Sequence, residues 1–230
     1  MNYTLEQSTK SYFLKLKTFK INRKINYFTT KLLAVITLFQ FCACGSYHQK
    51  LSKVSVHEKK WALLHPFQIK RAIRLSKQAQ RVADSIKKTN ALDKDANGGQ
   101  VDAFRHAFWM STLSQGIGYR SARSLGKAHE KTNYEQFKKG ENEDGGLPDA
   151  AATEMDLYNN EFGISLYKEN KKANKETYIA LILQAIHDGK LRILQKDKEG
   201  SYLDCEGKKL ALKHKVKKWE NNKCLVPSKK

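Results

Sequence analysis

The chain has 230 residues and carries 43 Lys and Arg against 23 Asp and Glu. That length suits one domain plus an appendage, and no period of about 20–50 residues repeats, which excludes a solenoid. Three Pro and 13 Gly among many Ala, Leu, Lys and Gln favour helices, and the excess of bases favours anionic partners.

Residues 1–43 read as an address. Lys10 to Lys31 is basic and poor in acids, Leu32 to Phe41 is a short apolar run, and small residues follow at Ala43-Cys44-Gly45. That order is the layout of a secretory signal, and the run is shorter than the roughly 20 residues a membrane span needs. Ala43-Cys44-Gly45 resembles the lipobox of bacterial lipoproteins, with Phe41 where leucine is commoner. The resemblance implies cleavage before Cys44, lipid on its sulfur, and an exported lipoprotein anchored to a membrane of the bacterial cell envelope. An uncleaved N-terminal anchor is the alternative. Seven bases and one acid lie in residues 1–43, so the remainder still holds 36 bases and 22 acids. Outside the cytoplasm, the anionic partner expected is a lipid headgroup or an envelope polymer rather than nucleic acid; a merely solvated basic surface fits equally.

Residues 44–60 read as a polar tether. A helix is predicted from Leu64-His65-Pro66, with proline at its first position, to about Lys88. Its stripe is Ile69, Ala72, Ile73, Ala79, Val82, Ala83 and Ile86. Lys70, Arg71, Arg74, Lys77 and Arg81 take the solvent side. An Asp-, Asn- and Gly-rich loop leads to a second helix, Gly99 to Gln115, broken by Gly116-Ile-Gly118. This helix is apolar on every side, the mark of a buried helix, yet Asp102, Arg105 and His106 share one sector.

A third helix covers Tyr119 to Lys138, with Ala122, Leu125, Gly126, His129 and Asn133 on its inner face. Asp149 is the expected N-cap of a fourth, Ala150 to Lys171. There Met155, Asp156, Asn159, Phe162, Gly163 and Leu166 form one face, with Asn160 beside it. A fifth helix, Lys175 to His187, ends at Gly189. Leu191–Leu194 and Ser201–Leu203 then read as the arms of a β-hairpin, followed by a basic tail. The expected architecture is therefore mainly α: a compact bundle of about five helices over 61–189 and a hairpin-bearing appendage over 190–230. In the appendage, Cys205 and Cys224 form the remaining cysteine pair. In an oxidising compartment a bridge between them would staple that segment, and spacing alone leaves bridge and free thiols both open.

Buried charges must be paired, hydrogen-bonded or metal-bound, so polar groups on apolar faces of separate helices suggest a bundle-core site. One scheme makes His106, His129 and Asp156 ligands of a zinc-like divalent ion. Glu130 is then the general base, and Arg105 holds an anionic substrate group. Asp102, Asn159 and Asn160 complete the ligand-binding set. A second scheme is metal-free: one histidine acts as base or nucleophile and the other as acid, with Arg105 stabilising charge. His129-Glu130 has Asn at position 133 rather than a second His, so it is no zincin motif. A purely structural network is the third possibility, since Asp102 lies three and four residues before Arg105 and His106.

Asp102-Ala-Phe-Arg-His-Ala-Phe-Trp109, Ala128-His-Glu130 and Met155-Asp-Leu-Tyr-Asn-Asn160 with Gly163, in that order, resemble an uncharacterised bacterial domain family. The family is found in exported proteins and at the C-termini of wall-associated and Rhs-type polymorphic toxins. The resemblance spans roughly residues 60–190 and implies a helical fold and an envelope or extracellular setting, without an activity. The functions to weigh are a lipid-anchored hydrolase of a phosphoester or other anionic envelope substrate, a non-catalytic binding module, and a toxin-like effector.

Overall fold

The computed structural model describes residues 55–140, 148–210 and 218–229. The signal expected over residues 1–43 and the expected lipidation at Cys44 lie outside them. Six helices and one two-stranded antiparallel sheet are present among the described residues. None of the described helices is long and apolar enough to cross a membrane.

Helix α1, Val56–Leu64, starts within the stretch expected as tether. Ser55 Oγ accepts from Glu58 N and Glu58 Oε2 accepts from Ser55 N, each at 3.1 Å. This reciprocal capping box satisfies two end groups that the helix itself leaves open. Trp61 is the residue that α1 buries. Its Nε1 donates to Ser124 Oγ at 2.8 Å, and its ring stacks on His65.

Helix α2 runs Ile69–Lys87, three residues beyond Pro66 rather than beginning on it, and buries Ala72, Ala79 and Ala83. Helix α3, Gln100–Ile117, is the centre of the fold, with 14 of its 18 residues buried. Gly118 turns the chain with φ +84° into α4, Tyr119–Lys139. Helix α5, Ala150–Glu169, is capped by Asp149, whose carboxylate accepts from Ala152 N at 2.9 Å. Helix α6, Lys175–His187, is capped by Asn174.

Helices α3 and α5 meet backbone to backbone. A Cβ on Gly163 would sit 2.2 Å from the Ala107 carbonyl oxygen, so only glycine fits there. Ser111 Oγ donates between the Ala107 and Gly163 carbonyls at 2.8 and 3.0 Å, fastening the crossing. Two apolar clusters flank α3. One gathers Phe104, Phe108, Tyr178, Ile182, Ile186 and Leu191; the other gathers Trp61, Met110, Leu113 and Ile164. Each large side chain so buried contributes about 1.5–3 kcal/mol.

Strand β1, Arg192–Leu194, pairs antiparallel with β2, Leu225–Pro227, rather than with 201–203. The expected turn does form, since Asp197 Oδ1 accepts from Ser201 N at 2.7 Å. It closes so tightly that pairing begins at Lys196↔Tyr202, past the end of β1. A second turn at Asp204 diverts the chain, because its carboxylate accepts from Lys208 N at 2.8 Å. Arg192–Leu194 is thus left to the C-terminal segment. Cys205 and Cys224 are joined by a disulfide with Cα atoms 4.8 Å apart. Gln100 Nε2 donates to the Ser228 carbonyl, and Ser228 Oγ donates to the Ile186 carbonyl, both at 2.8 Å.

Candidate functional site

Asp102 and His106 stand one turn apart on α3, and Asp156 faces them from α5. Each is buried, and each offers one ligand atom, all within 4.8 Å of one another. His106 Nε2 lies 3.3 Å from Asp156 Oδ1 and 3.6 Å from Asp102 Oδ1. Nitrogen and oxygen ligands about 2.0–2.2 Å from a shared tetrahedral ion stand roughly 3.3–3.6 Å apart.

The other face of the imidazole settles its tautomer. Asn160 Nδ2 donates to Glu130 Oε1 at 3.3 Å, which leaves Asn160 Oδ1 toward His106 Nδ1 at 3.2 Å. An amide oxygen only accepts, so Nδ1 carries the proton. Glu130 is held in turn by Asn133 Nδ2, which donates to Oε2 at 3.0 Å. Burial above all, then the charges of Arg105 and His129, push His106 well below the usual histidine range, against the bond to Asn160. His106 is therefore neutral, with the Nε2 lone pair beside two carboxylate oxygens and within reach of the Arg105 Nη2 donor. A chain of polar groups behind a ligand histidine is the usual way of fixing its ring and tautomer.

Positive charge reaches this cluster from Arg105. Its Nη2 donates to Asp102 Oδ1 at 2.7 Å and lies 3.3 Å from His106 Nε2. The Arg105 side chain is 20% exposed against 4% for His106, which makes the guanidinium the solvent edge of the group. Asp102 Oδ2 accepts from Gly98 N at 2.7 Å. Gly98 has φ +84° and no room for a Cβ beside Leu194, so the loop can reach the carboxylate only as glycine.

His129 is placed elsewhere than in the expected ligand trio. Its Nδ1 lies 3.2 Å from Glu58 Oε1 on α1, half-buried, and its ring meets the Trp109 ring edge-on at 5.4 Å. Trp109 also meets His106 edge-on at 6.3 Å, and so stands between the two histidines. Glu130, expected as general base, sits behind Asn160 on the Nδ1 side of His106, where it orients that ring. Asn159 is turned away from the cluster. It accepts from Arg192 N at 3.0 Å and donates to the Arg192 carbonyl at 2.9 Å, docking β1 on α5.

The sequence reading missed Glu58, although Ser55-Val-His-Glu58 has the capping-box spacing. It also gave Asp102 to ligand binding, where the spacing Asp102–His106 already places both groups on one helix face. The appendage adds Tyr202, whose ring lies 3.8 Å from Lys223 Nζ and 4.7 Å from Lys196 Nζ. Burial, then the charges of Asp95, Asp149 and Asp102, push its phenol up, so it stays protonated. Lys196 Nζ donates to Asp95 Oδ2 at 2.5 Å, and Lys223 pairs with the cap residue Asp149.

No curated protein and no solved structure matches the chain. A family model matches residues 59–190, which takes in Asp102, His106, Glu130 and Asp156 and ends before β1. The chain belongs to that family, described as a domain of unknown function, DUF6973.

Proposed function

We propose that this protein is an exported, lipid-anchored hydrolase in which Asp102, His106 and Asp156 hold a zinc-like divalent ion. The observation that carries the reading is the convergence of a histidine lone pair with two carboxylate oxygens at ion-sharing distances. Three electron-rich groups gathered out of water need positive charge beside them, which Arg105 supplies at one edge and an ion would supply between the imidazole and both carboxylates. An ion bound there would supply Lewis acidity to a phosphoryl oxygen. Arg105, at the solvent edge, is placed to hold an anionic substrate group in a bidentate grip, which favours a phosphoester or another bond beside an anionic group. The export reading draws support from the Cys44 motif and from the Cys205–Cys224 disulfide, since such bonds belong to oxidising compartments.

The competing arrangement is a metal-free binding module in which Arg105 itself is the cation, favoured by its 2.7 Å bond to Asp102. Metal analysis of the full chain equilibrated with zinc or manganese separates the two. One ion per chain is expected in the wild type and in His129→Ala, and none in folded His106→Ala or Asp156→Ala. Turnover of a nitrophenyl phosphodiester should follow the metal. Folded wild-type protein that takes up no ion would sink the hydrolase reading and leave the binding module. Palmitate labelling, lost in Cys44→Ser, tests the anchor. The toxin-like effector is tested by whether the chain, expressed without residues 1–43, arrests growth from the cytoplasm.

A further inference from the structure

The turn between α1 and α2 exposes more apolar surface than any packing reason requires. Phe67 is 100% exposed, Leu63 80% and Leu64 79%, and Val56 is exposed earlier on α1. Val56, Lys60 and Leu63 follow one another at helical spacing along one side of α1, and Phe67 stands in the turn beyond its end. Cations frame the tip. Lys60 precedes it; Lys70, Arg71 and Arg74 follow in the first two turns of α2, then Lys77 and Arg81, all exposed. Among the described residues none of these bases is in an ion pair.

We infer that this tip is a docking surface for an anionic lipid bilayer, with Phe67, Leu63 and Leu64 entering the headgroup boundary and the α2 bases lying on the lipid phosphates. Two observations choose the bilayer over other anions. A sugar or phosphate polymer would use the bases but give the two leucines nothing, whereas a bilayer takes both kinds of group at once. Each base near an anionic leaflet adds attraction, and the attraction falls off within a Debye length. In sequence, the Cys44 motif also stands only 11 residues before Ser55, the cap of α1.

Docking in this way sets the Glu58–His129 pair close to the membrane. Glu58, which holds His129, lies five residues before Leu63 on the same helix, a rise of about 7.5 Å. The inference does not depend on the ion or on hydrolysis, and it stands with or without lipid on Cys44.

The test uses the full chain carrying Cys44→Ser, so that an acyl anchor plays no part. Binding is measured by sedimentation with vesicles of phosphatidylcholine alone and of phosphatidylcholine with phosphatidylglycerol. The chain should prefer the anionic vesicles. Leu63→Ser/Leu64→Ser/Phe67→Ser should weaken that binding about 100-fold, and Lys70→Glu/Arg74→Glu/Lys77→Glu should abolish the preference for anionic lipid. Phe67→Trp should add blue-shifted fluorescence that doxyl-labelled lipid quenches, over the signal of the unsubstituted chain. Binding that survives the triple serine change undiminished would overturn the proposal, because residues 32–41 would then be the binding element. So would a Phe67→Trp signal that lipid leaves unquenched but a soluble polyanion shifts. Loss of metal uptake in His106→Ala should leave vesicle binding unchanged, which keeps the two readings apart.

Discussion

Helices α2 and α3 are neighbours of nearly equal length, 19 and 18 residues, and are built on opposite plans. Helix α2 buries three alanines, packs Leu75, Val82 and Ile86 half-buried against the core and turns its opposite face to solvent, so the lysines and arginines there cost the fold nothing. Helix α3 has almost no wet side, so its polar residues, the Ser114 hydroxyl excepted, turn to partners inside the protein. Ser111 and Thr112 do so trivially, on carbonyls one turn back. Asp102 and His106 do so by joining Arg105 of their own helix to groups from α4, α5 and the Gly98 loop. The contrast teaches that position, more than residue type, turns a charge into chemistry.

The harshest way to break the contrast is to push α3 off its partner. Gly163→Ala should cost about 3 kcal/mol, the upper end of overpacking, because the atom in the way is the Ala107 backbone oxygen. Thermal or urea denaturation would show it; a near-neutral result would mean that the α3–α5 crossing is loose.

Second in size is the response to a ligand. If α3 holds an ion, zinc at roughly a hundred times its dissociation constant should add about 2.7 kcal/mol of stability to the wild type. His106→Ala should remove that gain, while costing the ion-free protein far less than the ~3–5 kcal/mol expected on breaking a structural buried pair. A large ion-free loss with no zinc effect would favour the closed network.

Acid should act on α3 before it acts on α1. His106 is held neutral, with its folded value well below 6.5. The unfolded chain therefore binds more protons below pH 6.5, and stability should fall as pH drops through that window. His106→Ala should flatten this slope. Burial raises Glu58, but the bond and charge of His129 together with the Ser55 backbone and side-chain bonds hold the carboxyl below its ordinary 4.5. Its contribution is present above pH 4.5 and is lost as pH falls below it, so His129→Ala should flatten only that lower part of the curve. Smallest of all, Lys77→Gln on the wet face of α2 should leave the melting temperature unchanged.

Much of this was legible in the residues. Gly118, the Asp149 cap and Gly189 punctuate the helices, while α3 runs on through Gly116, so α3 to α6 fall within two residues of their expected bounds. Helix α1 was not, because a helix that buries a single tryptophan shows no period. Strand β2 is three residues ending in proline, inside a basic tail, and becomes a strand only because two side-chain-locked turns leave β1 unpaired. At the site, carboxylate and imidazole on apolar faces pointed to His106 and Asp156. What a list of faces could not separate was Asn159 from Asn160. One residue is about 100° around a helix, enough to send one amide to Arg192 and the other to His106. His129 went astray because its partner Glu58 lay in a stretch read as tether.

Ser228 reaches across to Gln100 and Ile186, joining the tail to the first turn of α3 and the end of α6. The first turn of α3 is thereby held by a residue 128 positions further along the chain, a contact whose closure fixes a very long loop and so carries a large entropic cost that the packed body must offset.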